Sequence, residues 1–134
     1  MLPKKVVKNF EEMENIKIEV YKIGNFEIAE LTSRDDVVTN SEDGSDLVGN
    51  LYYHGAERVI VYEHNLAPSF FDLKSGLAGD ILQKFSNYRL RLVIVGDFSA
   101  YTSNSLQDFI RESNKGRQVN FVKSKEEAIE VLSN

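Results

Sequence analysis

The chain has no cysteine and no tryptophan, only two prolines among 134 residues, and no long apolar run. Without thiols there are no disulfides and no thiolate metal sites, so the fold cannot rely on covalent staples. Lack of cysteine also suits a reducing compartment. No stretch approaches the roughly 20 apolar residues that a membrane-spanning helix needs. The opening Met1-Leu2-Pro3-Lys4-Lys5-Val6-Val7-Lys8 has basic residues but not the apolar segment of a secretory leader. The expectation is a cytoplasmic protein without a membrane partner. Positive charge is in deficit: 16 Lys and Arg against 21 Asp and Glu leave a net charge of -5. An acidic surface repels phosphate backbones, so nucleic acid is not an expected partner.

What is present fits one domain with its own core. Residues 1–15 read as a charged N-terminal arm, and 16–134 as a single α/β domain. Ile16-Lys17-Ile18-Glu19-Val20 alternates apolar and charged residues, the period of a half-buried strand. Gly24-Asn25 separates it from Phe26–Leu31 and fits a two-residue type II′ hairpin turn. Asp35–Val38 reads as a very short strand or a loop. Thr39 and Glu42 have capping-box spacing ahead of a helix that would bury Leu47, Val48, Leu51 and Tyr52 and end at Gly55. Arg58–Tyr62 and Leu90–Val95 are nearly continuous apolar runs, as expected of strands covered on both faces. Between them, after an Asn65–Pro68 turn, Leu77, Ala78, Ile81, Leu82, Phe85 and Tyr88 mark an amphipathic helix, with Asp80 and Lys84 paired on its wet side. A third helix starts at about Ser103 or Asn104, buries Leu106, Phe109 and Ile110, and stops at Gly116. Val119–Val122 is a last strand. Ser124 and Glu127 then form a second capping box before Ala128, Ile129, Val131 and Leu132. The order β-β-(β)-α-β-α-β-α-β-α implies a four- to five-stranded mixed sheet, parallel after its N-terminal antiparallel hairpin, with four helices.

Three segments in order, Phe70–Phe85 with Asn87-Tyr88-Arg89, Val95-Gly96-Asp97-Phe98-Ser99, and Arg111–Arg117, resemble the signature of the domain of unknown function 4180 family. The resemblance covers Asp46 to Leu132, and the opening hairpin only in pattern. It implies a STAS-like fold, similar to bacterial anti-sigma-factor antagonists, and with it a non-enzymatic regulatory or protein-interaction role. In those antagonists a serine in an Asp-Ser-Ser-Gly-Leu turn is phosphorylated by a partner kinase, which adds charge at a helix start. Aligned on Gly76-Leu77, Ser75 takes the second serine position and Lys74 the first; with a one-residue gap, Asp72 matches the aspartate.

Candidate binding residues follow. Asp72, Lys74, Ser75, Gly76 and Gly79 flank a helix start, where free amides favour an anion or an acidic partner group. The plain alternative is a Ser75 cap, with glycines that let helix and sheet pack closely. Asp97 and Ser99 follow a buried strand, the end at which open α/β sheets bind ligands; turn and cap duty is the alternative. Asn87, Arg89, Arg111, Asn114 and Arg117 come from the family-like segments, where arginines suit carboxylate or phosphate. For the arginines the alternative is surface pairing to Asp80, Asp108 or Glu112. His54 and His64 lack metal-ligand or triad spacing, and the acidic run from Asp35 to Asp46 lacks the EF-hand pattern. No metal or cofactor is therefore expected. The expected partner is an unidentified protein or a small anionic ligand, and the exposed edge strand offers a homodimer contact. A competing expectation is a small-molecule enzyme using Glu63, Asp97 and His64 at the strand ends, provided that a concave pocket joins them.

Overall fold

The computed structural model describes residues 4–6 and 16–134. The sheet has strands in sequential order: β1 (Lys4–Val6), β2 (Ile18–Ile23), β3 (Phe26–Leu31), β4 (Arg58–Tyr62), β5 (Arg91–Val95) and β6 (Val119–Val122). β1, β2 and β3 pair antiparallel, while β3 to β6 pair parallel. Strands β2 to β6 are the expected mixed sheet, and Lys4–Val6 adds a short sixth strand beyond it. The remainder of the expected arm, residues 1–3 and 7–15, lies outside the described residues. The four expected helices are α1 (Ser41–Tyr53), α2 (Leu77–Asn87), α3 (Asn104–Lys115) and α4 (Lys125–Leu132).

The hairpin between β2 and β3 closes with Ile23 opposite Phe26. Gly24 has φ of 57°, whereas Asn25 is not among the positive-φ residues, which is the type II′ pattern. β2 therefore runs up to the turn and starts two residues later than the Ile16 alternation implied. The start of α1 is also displaced. Asn40, not Thr39, is the N-cap, its Oδ1 accepting from the Asp43 amide at 2.8 Å. Thr39 instead binds the Asp43 carboxylate through both its amide and its hydroxyl. The second box closes one residue wider than read: Ser124 accepts from the Glu127 amide, and Glu127 reaches back to the amide of Lys123.

Sequential parallel strands with right-handed crossovers put every crossover helix on one face. The core divides accordingly. On one face Ala29, Val59, Val61, Leu92, Ile94 and Phe121 pack under α1, α2 and α3, whose Leu47, Leu51, Ile81, Phe85, Leu106 and Ile110 are buried. On the other, Ile28, Ile60, Val93 and Val95 pack with α4 alone among the helices, its Ala128 and Leu132 fully buried and its Ile129 and Val131 partly so. The double coverage explains the unbroken apolar runs of β4 and β5. Tyr52 and Tyr88, expected inward, are 57% and 47% exposed and pack on each other with ring centroids 5.0 Å apart.

The free side of β6 is not bare. Gln118 and Val122 turn their carbonyls toward β5, accepting from Leu92 and Gly96 at 3.0 Å. Alternation then directs the polar groups of Phe121 outward. Asn114 on α3 meets them both, accepting from the Phe121 amide at 2.7 Å and donating to its carbonyl at 3.2 Å. A side-chain amide thus occupies the place that a pairing strand would take, a guard against edge-to-edge association. Asn114→Ala is expected to cost about 1 kcal/mol in chemical denaturation and to promote self-association through β6, read by light scattering across concentrations. A variant as monomeric as the parent would remove this role from Asn114.

Candidate functional site

Chain direction sorts the expected site residues into two groups. Asp72 to Gly79 and Asp97 to Ser99 follow β4 and β5, at the carboxyl ends of the parallel strands. Asn87, Arg89, Arg111, Asn114 and Arg117 lie at or beyond the last turns of α2 and α3, where the chain returns to the amino ends of β5 and β6.

The second group is largely occupied in holding the fold. Arg111 pairs with Asp108 at 2.8 Å on an exposed helix face. Arg117 donates to the Asn134 carbonyl, and Arg91 donates to the carbonyls of Asn134 and Val131 and to that of Arg117 itself. Arg58 donates to Leu132 and lies over the Phe26 ring at 3.6 Å. Arg91 and Arg58 satisfy carbonyls that α4 leaves open at its C-terminal end, and Arg117 with Arg91 holds the Asn134 carbonyl just beyond it. Asn87 accepts from Gln83 at 2.8 Å. Arg89 closes α2 with φ of 58°, the only non-glycine residue with positive φ among the described residues. With Tyr52 and Tyr88 it borders a shallow cavity of about 390 Å³.

At the carboxyl ends, short turns organise the loops. Asp72 Oδ1 accepts from the Lys74 amide at 3.2 Å. Ser75 donates to the Ser69 carbonyl at 2.6 Å and accepts from the Leu77 amide at 3.2 Å. Gly76, at φ of 78°, is the N-cap of α2 and supplies no side-chain cap. Neither Gly76 nor Gly79 makes the close helix–sheet approach considered above, because a Cβ at either would meet nothing within 4 Å. Asp97 Oδ1 accepts from the Ser99 hydroxyl at 2.6 Å and the Ser99 amide at 3.1 Å. Those bonds, with Lys123 nearby, hold its carboxyl below the usual aspartate range.

Between the ends of β4 and β5 opens a cavity of about 500 Å³, within the usual range for a small-ligand site. Leu66, Pro68, Phe71 and Val95 give it apolar walls; Asp36, Tyr62, Glu63, His64 and Tyr101 give it polar ones. Glu63 is fixed in its lining. One carboxylate oxygen accepts from the Tyr101 hydroxyl at 2.6 Å, the other from the Asp97 amide at 3.2 Å. This position exists only because residue 96 is glycine: a Cβ there would stand 2.5 Å from Glu63 Oε1 and 2.6 Å from its Cβ. Burial and the Glu63 carboxylate together push the Tyr101 hydroxyl pKa up. Tyr62 donates to the buried Glu30 at 2.5 Å, and burial with that carboxylate raises its pKa also. His64 Nε2 lies 3.2 Å from the Ser33 carbonyl, and its ring stacks on Tyr62 at 5.6 Å.

Asn65 sets the loop that carries Asp36. It is fully buried, its amide nitrogen donating to the carbonyls of Ser33 and Asp35 and its oxygen accepting from the Tyr62 amide. Its own carbonyl receives Val37 and Val38. Phe71 ties the other wall together by stacking on Tyr101 at 4.9 Å and meeting Phe98 at 6.0 Å. The cavity thus joins Glu63 and His64 as the pocket expectation required, but it excludes the Asp97 side chain, which is turned to Ser99. Asn65, Phe71 and Tyr101 were not among the expected site residues. Among the described residues no group of His, Asp and Glu is placed to hold a metal ion, and no helix is long and apolar enough to cross a membrane. Comparison with curated proteins and with solved structures returns no match. The family model described as "Domain of unknown function (DUF4180)" matches residues 23–132, most of the chain, and the chain belongs to that family.

Proposed function

We propose that this chain is a non-enzymatic binding module whose working site is the cavity between the carboxyl ends of β4 and β5. The observation that carries this is the fixed Glu63. A carboxylate locked by two donors, over a glycine that admits it, is a preformed recognition group among apolar walls. Each of its oxygens has one partner and retains acceptor capacity for a ligand. An enzyme reading is weaker. Asp97, one of the three groups it needs, is committed to Ser99 and lies outside the lining, which holds no serine, threonine or cysteine among the described residues. A regulatory protein contact finds its own support at the exposed Lys74 and the start of α2, where the N-cap supplies no side chain.

Backbone amide NMR with a library of small fragments tests the proposal. Binding is expected to shift Glu63, His64 and Tyr101. Gly96→Val drives Glu63 from its seat, costs about 1–3 kcal/mol through overpacking, and abolishes those shifts while the circular dichroism stays folded. Shifts confined to Lys74–Gly79 in both proteins would move the site to the start of α2.

A further inference from the structure

The cavity's hydrogen-bonding groups are of one kind. The Tyr101 hydroxyl gives its proton to Glu63, and the Tyr62 hydroxyl gives its proton to Glu30. The Ser33 carbonyl can only accept, so His64 Nε2 carries the hydrogen between them and is spent on it. Asp36 and Glu63 are carboxylates, and no lysine or arginine occurs among the described lining residues. The amide that faces Glu63, that of Asp97, is spent on it. What remains toward the cavity is therefore carboxylate and phenol acceptors, the two carboxylates negatively charged, beside the rings of Phe71, Tyr101, Tyr62 and His64. A ligand in such a place must bring the donors and, for charge balance, a positive charge. Aromatic faces add cation–π attraction for the same kind of group. A carboxylate or phosphate would find two like charges, both phenol hydroxyls already committed, and no lysine or arginine among the described lining residues.

Resting on the cavity as the binding site, we infer that its ligand is a small organic cation: an ammonium or guanidinium group on an apolar body that fits between Phe71 and Pro68. Glu63 receives the cationic head, Asp36 supplies the second charge from the loop that Asn65 holds, and Leu66 and Val95 take the apolar part.

Three probes of matched size separate charge from shape: phenethylamine, phenethyl alcohol and phenylacetate, titrated into the full chain by calorimetry with amide NMR in parallel. The amine is expected to bind at least tenfold more tightly than the alcohol and to shift Glu63 and Tyr101, with no binding of phenylacetate. Asp36→Asn, at an exposed position that does not threaten the fold, and Glu63→Gln are each expected to weaken the amine about tenfold, near the value of one lost charge-assisted bond, and to weaken the alcohol by a smaller factor. A blocked lysine tripeptide as a further arm distinguishes a free amine from a protein side chain as the source; tighter binding of the tripeptide assigns the ammonium group to a partner protein. Phenylacetate or the alcohol binding as well as the amine, at the same residues, would overturn the cation inference and leave the cavity as the site. If neither these probes nor the fragment library shifts any cavity residue, the site itself is wrong and the inference goes with it.

Discussion

Replacing Phe71 with alanine is expected to cost about 3–5 kcal/mol in denaturant unfolding, the range for emptying a buried aromatic position. Phe71 is 5% exposed and touches three rings, those of Phe70, Tyr101 and Phe98. Aromatic pairs add their own increment beyond the buried area. The loss reaches past stability, because Phe71 joins the turn after β4 to the turn after β5. Without it Tyr101 loses its stacking partner, and the hydroxyl that fixes Glu63 is no longer held in place. Ligand-dependent shifts at Glu63 are therefore expected to vanish even under conditions where most molecules are folded. Phe71→Leu fills most of the volume without the ring and separates the two effects: stability largely recovers, binding does not. Full binding by Phe71→Ala would show that Tyr101 is positioned without it.

The second large effect is on the opposite face. Glu30 is almost fully buried, pairs with Lys125 at 3.0 Å, and accepts from Tyr62. The same lysine donates to the Tyr21 hydroxyl at 3.1 Å and lies 4.4 Å from that ring. Lys125→Ala leaves a carboxylate in a place built for a pair. Breaking a fully buried pair costs about 3–5 kcal/mol. Here the Lys125 side chain is 36% exposed, so water reaches the vacancy and about 2–3 kcal/mol is expected. Glu30→Gln in the Lys125→Ala background should recover much of it, and the double-mutant cycle measures the coupling. Burial works to lower the Lys125 pKa, but its bonds to Tyr21 and Glu30 outweigh that and raise it above the usual 10.5. A raised lysine value means that the contribution is complete below pH 10.5 and declines as pH climbs through the folded value. The penalty of Lys125→Ala should therefore shrink in strong alkali; a constant penalty would argue for packing rather than charge.

The parallel layer was legible in the sequence because strands covered on both faces have no polar alternation to disguise them, as Arg58–Tyr62 and Leu90–Val95 demonstrate. Helix α2 was legible from its repeat, although the stripe ran one residue too wide and took in Tyr88. Adjacent cap-competent residues defeat local reading: Thr39 and Asn40 both carry a suitable oxygen, and only the fold decides which meets the Asp43 amide. At the site, Glu63 and His64 were visible as polar residues ending a buried strand. Their partners were not, because Tyr101 and the Asp97 amide lie 38 and 34 residues away in the chain. Gly96 gave no sign of its duty for the same reason, since the atom it makes room for belongs to another loop. Asn114 and Arg117 stood out through the family-like motif, and the structure gives them work at the β6 edge and at the end of α4.

Division of the core into a three-helix side and a one-helix side has a consequence for synthesis on the ribosome. Strands β2 to β6 and the helices joining them emerge before α4 and can collapse together. Until residues 125–132 follow, Ile28, Ile60 and Val93 have water where Ala128 and Leu132 will sit. A nascent chain halted after β6 therefore displays an apolar plane, and that is the stage at which a holding chaperone would engage it.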